Sequence, residues 1–92
     1  MTLTAHVPTT NASRYLQQLC KHWSHKFETE FDPQAGVVIL PMGAIRMAAQ
    51  DEALVVAIDP KPEADVALFK KVVADHLDRF AFREAPLAFD WK

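Results

Sequence analysis

The sequence predicts an α+β fold, a two-layer sandwich in which a mostly antiparallel sheet carries two helices on one face, in the order β-α-β-β-β-β-α-β. Two observations predict it. Apolar residues recur at helical spacing in two segments, and most other segments show the alternation of a strand. Turn-forming residues separate four consecutive strand segments, which favours antiparallel neighbours. At 92 residues, the chain is expected to form a single domain over residues 1–92.

The first strand is predicted from Leu3 to Val7, where apolar and polar residues alternate, and Pro8 ends it. Thr10 or Asn11 can then cap a helix by accepting a hydrogen bond from a free amide of its first turn. The apolar stripe of this helix extends to Phe27 and consists of Ala12, Tyr15, Leu16, Leu19, Cys20, Trp23 and Phe27.

From Phe27 onward the period changes to two, and four strands follow. The segment DPQAG, residues 32–36, has the proline and glycine of a hairpin turn. The strand after it, VVILP at residues 37–41, is apolar at both parities, which predicts that both of its faces are covered. Two further strands, over residues 45–50 and 53–59, complete the meander.

The second helix opens at DPKPEAD, with Pro62 near its first position and acidic residues that suit the positive end of its dipole. It is predicted to extend to about Phe82. After it, the segment PLAFDWK alternates apolar and polar residues from Leu87 to Trp91, which predicts a last strand.

Composition excludes several classes of partner. Ten basic and 12 acidic residues give a net charge of −2 without a basic run, so we expect no nucleic acid partner. No apolar run reaches the roughly 18 residues that span a bilayer, and the N-terminal segment lacks the features of a signal peptide. The single cysteine cannot form an internal disulfide, which suits a reducing compartment. The sequence therefore predicts a cytoplasmic protein without a membrane partner.

The stretch Cys20-x-His22-x-x-His25 suggests a metal site at first sight. Because a helix advances about 100° per residue, the cysteine lies roughly 140° to 160° away from the two histidines, on the core side. Side chains so far apart cannot converge on one ion. We therefore predict no Cys-His-His metal site here. His22 and His25, about 60° apart on the helix, are expected on a solvated edge, and the alternative is a surface ion that the two share.

His76 lies within the apolar stripe of the second helix. It is either a core histidine satisfied by a backbone carbonyl or a tyrosine hydroxyl, or a functional group, paired with Cys20 or ligating haem. Arg79 follows about 60° away on the helix, so Tyr15, His76 and Arg79 can line a site for an anionic or aromatic ligand. With His22, these residues form our candidate binding set.

The outer face of the sheet is predicted to be apolar at its centre and polar at its rim. A small protein rarely leaves such a patch in water, and we expect a second copy of the chain to cover it. The alternative is a small exposed patch of short side chains. The predicted interface consists of His6, Val38, Leu40, Arg46 and Val55.

The chain resembles the domain of unknown function 2218 family of small bacterial proteins. The matching segments are AHVPT, RYLQQLCKHWSHK, ALVVAID and VVADHLDRFAFREAPLAFDW. The resemblance implies that the recurring motif positions are Arg14, Tyr15, Gln18, Leu19, His22, His76, Leu77, Arg79 and Phe80. It carries no established activity, but relatives of this domain are associated with siderophore-interacting flavin reductases. The resemblance thus implies a role linked to iron, with haem or iron as the cofactor and a redox or iron-uptake protein as a partner.

Three functions follow from these observations. The first is a non-enzymatic accessory or ligand-binding module, linked to iron, siderophore or haem handling. The second is a small enzyme that uses His76 as acid, base or haem ligand, although no carboxylate pair, Gly-rich phosphate loop or nucleophile elbow supports it. The third is an interaction domain that acts through its open sheet face.

Overall fold

The computed structural model describes residues 2–92. Its elements in chain order are β1 (Leu3–Pro8), α1 (Ala12–Trp23), β2 (Glu28–Phe31), β3 (Ala35–Leu40), β4 (Gly43–Ala49), β5 (Ala53–Pro60) and α2 (Val66–Phe80). The five strands form one antiparallel sheet in the order β1-β5-β4-β3-β2. Strands β2 to β5 are a meander, and α1 carries the chain across the sheet so that β1 pairs with β5.

Both helices pack on one face of this sheet and enclose the core, so the predicted α+β class is confirmed. Each helix buries its apolar stripe: α1 contributes Leu16 and Leu19, and α2 contributes Phe69, Val73 and Leu77. Strands β3, β4 and β5 bury about one residue in two, as the period of a strand requires.

Both helices are shorter than the sequence predicted. Helix α1 ends at Trp23 and is followed by a turn, in which the carbonyl of Trp23 accepts hydrogen bonds from the amides of Lys26 and Phe27 at 3.0 and 2.9 Å. Helix α2 begins at Val66, where the Asp65 carboxylate accepts a hydrogen bond from the Leu68 amide at 3.1 Å. An N-cap of this kind fixes the first turn more strongly than Pro62 does.

The predicted last strand is wrong. Residues 85–92 alternate in burial as expected, with Leu87 buried and Asp90 exposed, but they form no ladder. Pro86 has no amide hydrogen, and the amide of Leu87 donates to the Asp78 carboxylate at 2.9 Å. A single backbone hydrogen bond, from the Lys92 amide to the Thr4 carbonyl at 2.8 Å, joins the segment to β1.

The placement of Val38 and Leu40 on the outer face is also wrong. Both side chains are buried beneath the helices, at 0% and 4% exposure, whereas Val37 and Ile39 point outward at 37% and 43%. Because the residues of β3 are apolar at both parities, the sequence did not show which of them face the helices. Gly36 fixes the phase of β3, because a Cβ there would lie 2.7 Å from the sulfur of Cys20 in α1.

Candidate functional site: a histidine-lined pocket

The last turn of α1, the turn after it and the middle of α2 surround a pocket of about 540 Å³. The β3–β4 loop closes it from the sheet side. We call this the histidine pocket, and it is lined by His22, Trp23, His25, Lys26, Phe27, Leu40, Pro41, Met42, Val72 and His76. Its volume falls within the range of about 300 to 1,000 Å³ that is typical of small-molecule sites.

His76 is the most constrained polar group of the histidine pocket. Its Nδ1 lies 2.7 Å from the carbonyl oxygen of Val72, one helical turn earlier. A carbonyl only accepts, so Nδ1 carries the hydrogen, and Nε2 of the neutral ring is left as a free acceptor. The Trp23 ring packs against the imidazole at a centroid distance of 4.9 Å and fixes its orientation. The prediction that a backbone carbonyl satisfies His76 is therefore confirmed, and the ring also faces a pocket.

The remaining walls divide into an apolar part and a basic rim. Phe27, Leu40 and Met42 supply apolar surface. His25 and Lys26 are exposed at the rim, in the turn that ends α1. Such a pocket suits a ligand with an apolar body and a negatively charged group.

The structure contains no metal site of the kind that the cysteine and histidines suggested. Within residues 2–92, no three histidine, cysteine or acidic side chains are arranged to hold an ion. Cys20 is fully buried, and burial raises the pKa of its thiol to about 11. A thiol with this pKa is protonated at neutral pH, so Cys20 behaves as a small core residue.

Of the four predicted binding residues, the structure brings only His22 and His76 together, with ring centroids 5.8 Å apart. Arg79 is exposed and does not line the histidine pocket. Tyr15 is buried elsewhere, where its hydroxyl donates a hydrogen bond to the carboxylate of Glu84.

Glu84 gathers a cluster of hydrogen bonds that the sequence analysis missed. Its carboxylate also accepts from the Thr9 hydroxyl at 3.0 Å and from the Asn11 amide at 3.2 Å. The hydrogen bond from Tyr15, followed by those from Asn11 and Thr9, lowers the pKa of Glu84. The same bond, followed by burial, raises the pKa of Tyr15. The cluster joins the start of α1 to the segment after α2, which is a structural role.

Other pocket residues escaped prediction for identifiable reasons. His25 was placed on a helical wheel, although the helix has already ended at Trp23. Met42 and Phe27 belong to turns, whose side-chain directions no periodicity predicts. The one usable signal was the position of Trp23 beside His22, since a large aromatic ring next to an exposed histidine can form a pocket wall.

These features define a small α+β protein with a histidine-lined pocket at the end of its first helix. The chain belongs to the family described as uncharacterized proteins conserved in bacteria, DUF2218, whose family model matches residues 4–92. It is similar to a solved structure, the NMR structure of PA4090 from Pseudomonas aeruginosa, at 35% identity and a TM-score of 0.79. That similarity covers 99% of this chain and 94% of the other. No curated protein matches the chain.

Neither α1 nor α2 is long and apolar enough to cross a bilayer, and these are the helices of the described part of the chain.

Proposed function

We propose that the protein is a non-enzymatic binding module whose histidine pocket holds a flat, mainly apolar ligand with an anionic group, in a role linked to iron or haem handling. The observation that carries this proposal is the imidazole of His76, which lines a large and mainly apolar pocket while its Nδ1 is held by the Val72 carbonyl. In this proposal the protein acts in the cytoplasm, with a redox or iron-uptake protein as its partner.

Haem has the chemistry that this pocket requires. A neutral histidine nitrogen is a common axial ligand of haem iron, and a hydrogen bond from the other ring nitrogen to a carbonyl orients such ligands. The bond from Nδ1 of His76 to Val72 supplies that orientation. The apolar walls suit the macrocycle, and His25 and Lys26 at the rim suit its two carboxylates.

The enzymatic alternative rests on the same free Nε2 acting as acid or base. A catalytic histidine usually works beside a nucleophile or an orienting carboxylate. The residues that line the histidine pocket include no serine, threonine or cysteine, and no acidic residue. The composition of the walls therefore favours binding over catalysis.

The test is a spectroscopic titration of the protein with haem and with metal-free protoporphyrin. We expect haem to bind with a shifted Soret band, and His76→Phe to weaken its affinity at least about tenfold, or about 1.4 kcal/mol. Phenylalanine keeps an aromatic ring against Trp23 but removes Nε2, so binding of the metal-free porphyrin is expected to persist.

His25→Ala is the matched control, since it removes a rim histidine and leaves the coordinating nitrogen in place. Haem that leaves the Soret band unchanged contradicts the proposal. So does a His76→Phe variant that weakens haem and metal-free protoporphyrin equally, which is the result expected of His25→Ala, whose side chain suits the carboxylates of both.

A further inference from the structure

A second, smaller cavity of about 150 Å³ lies between α1 and the segment that follows α2. It shares no lining residue with the histidine pocket. Its walls are Arg14, Tyr15, Gln18, Phe80, Phe82 and Arg83, and we call it the arginine cavity. Because a water occupies about 30 Å³ of liquid volume, this space holds a ligand the size of about five waters.

The two arginines of this cavity have no carboxylate partner among the described residues, and the guanidinium of Arg83 lies 5.6 Å from the centroid of the Phe82 ring. Within residues 2–92, neither Arg14 nor Arg83 forms an ion pair, although Glu84 is the next residue in the chain. The Glu84 carboxylate instead accepts hydrogen bonds from Thr9, Asn11 and Tyr15. Two guanidinium forks at one small cavity offer the planar pairs of donors that carboxylates and phosphates accept.

Gln18 provides an independent observation at the same place. Its Oε1 is buried and has no hydrogen-bond partner among the described residues. A buried acceptor without a partner costs about 1 to 3 kcal/mol, and a ligand that donates a hydrogen removes this cost. Gln18 is therefore best matched by a ligand that donates a hydrogen bond. The two arginines favour a ligand with negative charge.

From these two observations we infer that the arginine cavity binds a small oxyanion that bears an O–H group. The guanidinium groups of Arg14 and Arg83 hold the anionic oxygens, and the carboxamide of Gln18 turns so that its buried Oε1 accepts the hydrogen. Monohydrogen phosphate and short hydroxycarboxylates both combine these features within the volume of the cavity. The site is distinct from the one that the proposed function uses, so either can fail without the other.

Matched pairs of anions test the inference in an NMR or calorimetric titration near neutral pH. Phosphate carries a hydrogen where sulfate carries none, and glycolate carries a hydroxyl where acetate has none. We expect phosphate to bind more tightly than sulfate, or glycolate more tightly than acetate, by about tenfold, which corresponds to about 1.4 kcal/mol. The pair that shows the larger difference identifies the source of the oxyanion as phosphate or as carboxylate.

Three variants assign the effect to residues. Gln18→Met keeps the length of the side chain and removes its acceptor, so it is expected to abolish the difference within each pair. Arg83→Gln is expected to weaken all bound anions at least fivefold. Arg79→Gln, on the exposed face of α2 and outside the arginine cavity, is the charge-matched control and is expected to change nothing.

Each contrary outcome overturns the inference. If none of the anions binds, the arginine cavity is not an anion site. If the two anions of each pair bind with equal affinity, Gln18 does not accept a hydrogen bond from the ligand. If Arg83→Gln and Arg79→Gln lose equal affinity for the anions, the binding is a general effect of positive charge and not of this cavity. Backbone amide shifts confined to residues around Gln18 and Arg83, in contrast, support it directly.

Discussion

At the scale of single residues, Cys20 of α1 and Gly36 of β3 show how the helix layer is matched to the sheet. The sulfur occupies the space that a side chain at Gly36 would need, since a Cβ there would lie 2.7 Å from it and 3.1 Å from Cβ of Phe31. The cysteine is thus a packing residue, matched in size to a glycine on the facing strand. A serine or valine in its place would change polarity or volume at the tightest point of the core.

This match predicts coupled effects on stability. Gly36→Ala is expected to cost about 1 to 3 kcal/mol by overpacking, and Cys20→Ala to cost about 1 kcal/mol by leaving a gap. In the double variant the new methyl group occupies part of the space of the missing sulfur. The combined cost should therefore fall below the sum by about 1 kcal/mol, as measured by urea unfolding.

A control pairs Gly36→Ala with Leu87→Ala, a truncation in the C-terminal segment. We expect these two costs to add, since the residues belong to different parts of the core. Full additivity between Gly36→Ala and Cys20→Ala would show that α1 moves away from β3 instead of repacking locally.

At the scale of elements, the sequence predicted what periodicity encodes and missed what single contacts decide. The stripes of α1 and α2 and the four-strand meander were visible because each repeats a pattern several times. The phase of β3 was not, because Val37 to Leu40 are all apolar and only Gly36 distinguishes the inner parity. The final segment alternates like a strand but does not pair as one. Pro86 has no amide hydrogen, and the amide of Leu87 donates to the Asp78 carboxylate instead of a neighbouring strand.

The candidate site divides in the same way. His76 was identified because a histidine interrupts an otherwise apolar stripe, which the sequence shows directly. Tyr15 and Arg79 were grouped with it by their positions on the two helices, without the knowledge of how these helices pack against each other. Glu84 escaped notice because its partners lie more than sixty residues away in the chain, and no local pattern reports such a contact.

The Glu84 cluster makes stability depend on pH. The folded protein lowers the pKa of Glu84, so the cluster contributes above the ordinary carboxyl pKa and is lost as the pH falls through the lower, folded value. Glu84→Gln keeps the shape and removes the charge. We expect it to cost about 1 kcal/mol at neutral pH and progressively less below the ordinary carboxyl range, as the wild-type carboxyl takes up its proton.

The measurement is chemical unfolding of both proteins across this pH range. Glu63→Gln is the control, because Glu63 is exposed in the turn before α2 and forms no ion pair within residues 2–92. A deficit in Glu84→Gln that stays constant down to acidic pH would mean that shape, and not charge, gives the cluster its effect.

At the scale of the whole molecule, the two faces of the sheet have different roles. The helices cover one face and form the histidine pocket and the arginine cavity at their ends. The other face presents Val37, Ile39 and Val55 to solvent. Near its centre, Arg46 pairs with Asp59 at 2.7 Å. His6 and Val55 lie side by side on β1 and β5 at this face, as the predicted interface requires.

The homodimer stays a prediction, with Val37 and Ile39 taking the places of Val38 and Leu40. An isologous contact would stack the two apolar centres and remove them from water, which is the main driving force for such association. We expect the wild-type protein to dimerise reversibly in analytical ultracentrifugation. Val37→Asp places a charge in the apolar centre and is expected to weaken the dimer at least about tenfold, or about 1.4 kcal/mol.

Phe82→Asp is the matched control, since Phe82 is the most exposed of the large apolar side chains of residues 2–92, at 72%, and lies after α2, away from the sheet. It introduces the same charge and loses more apolar surface, yet should leave the dimer intact. A wild-type protein that stays monomeric at every concentration contradicts the prediction. Equal weakening by both variants would assign the effect to the net charge of the molecule and not to a contact at the sheet.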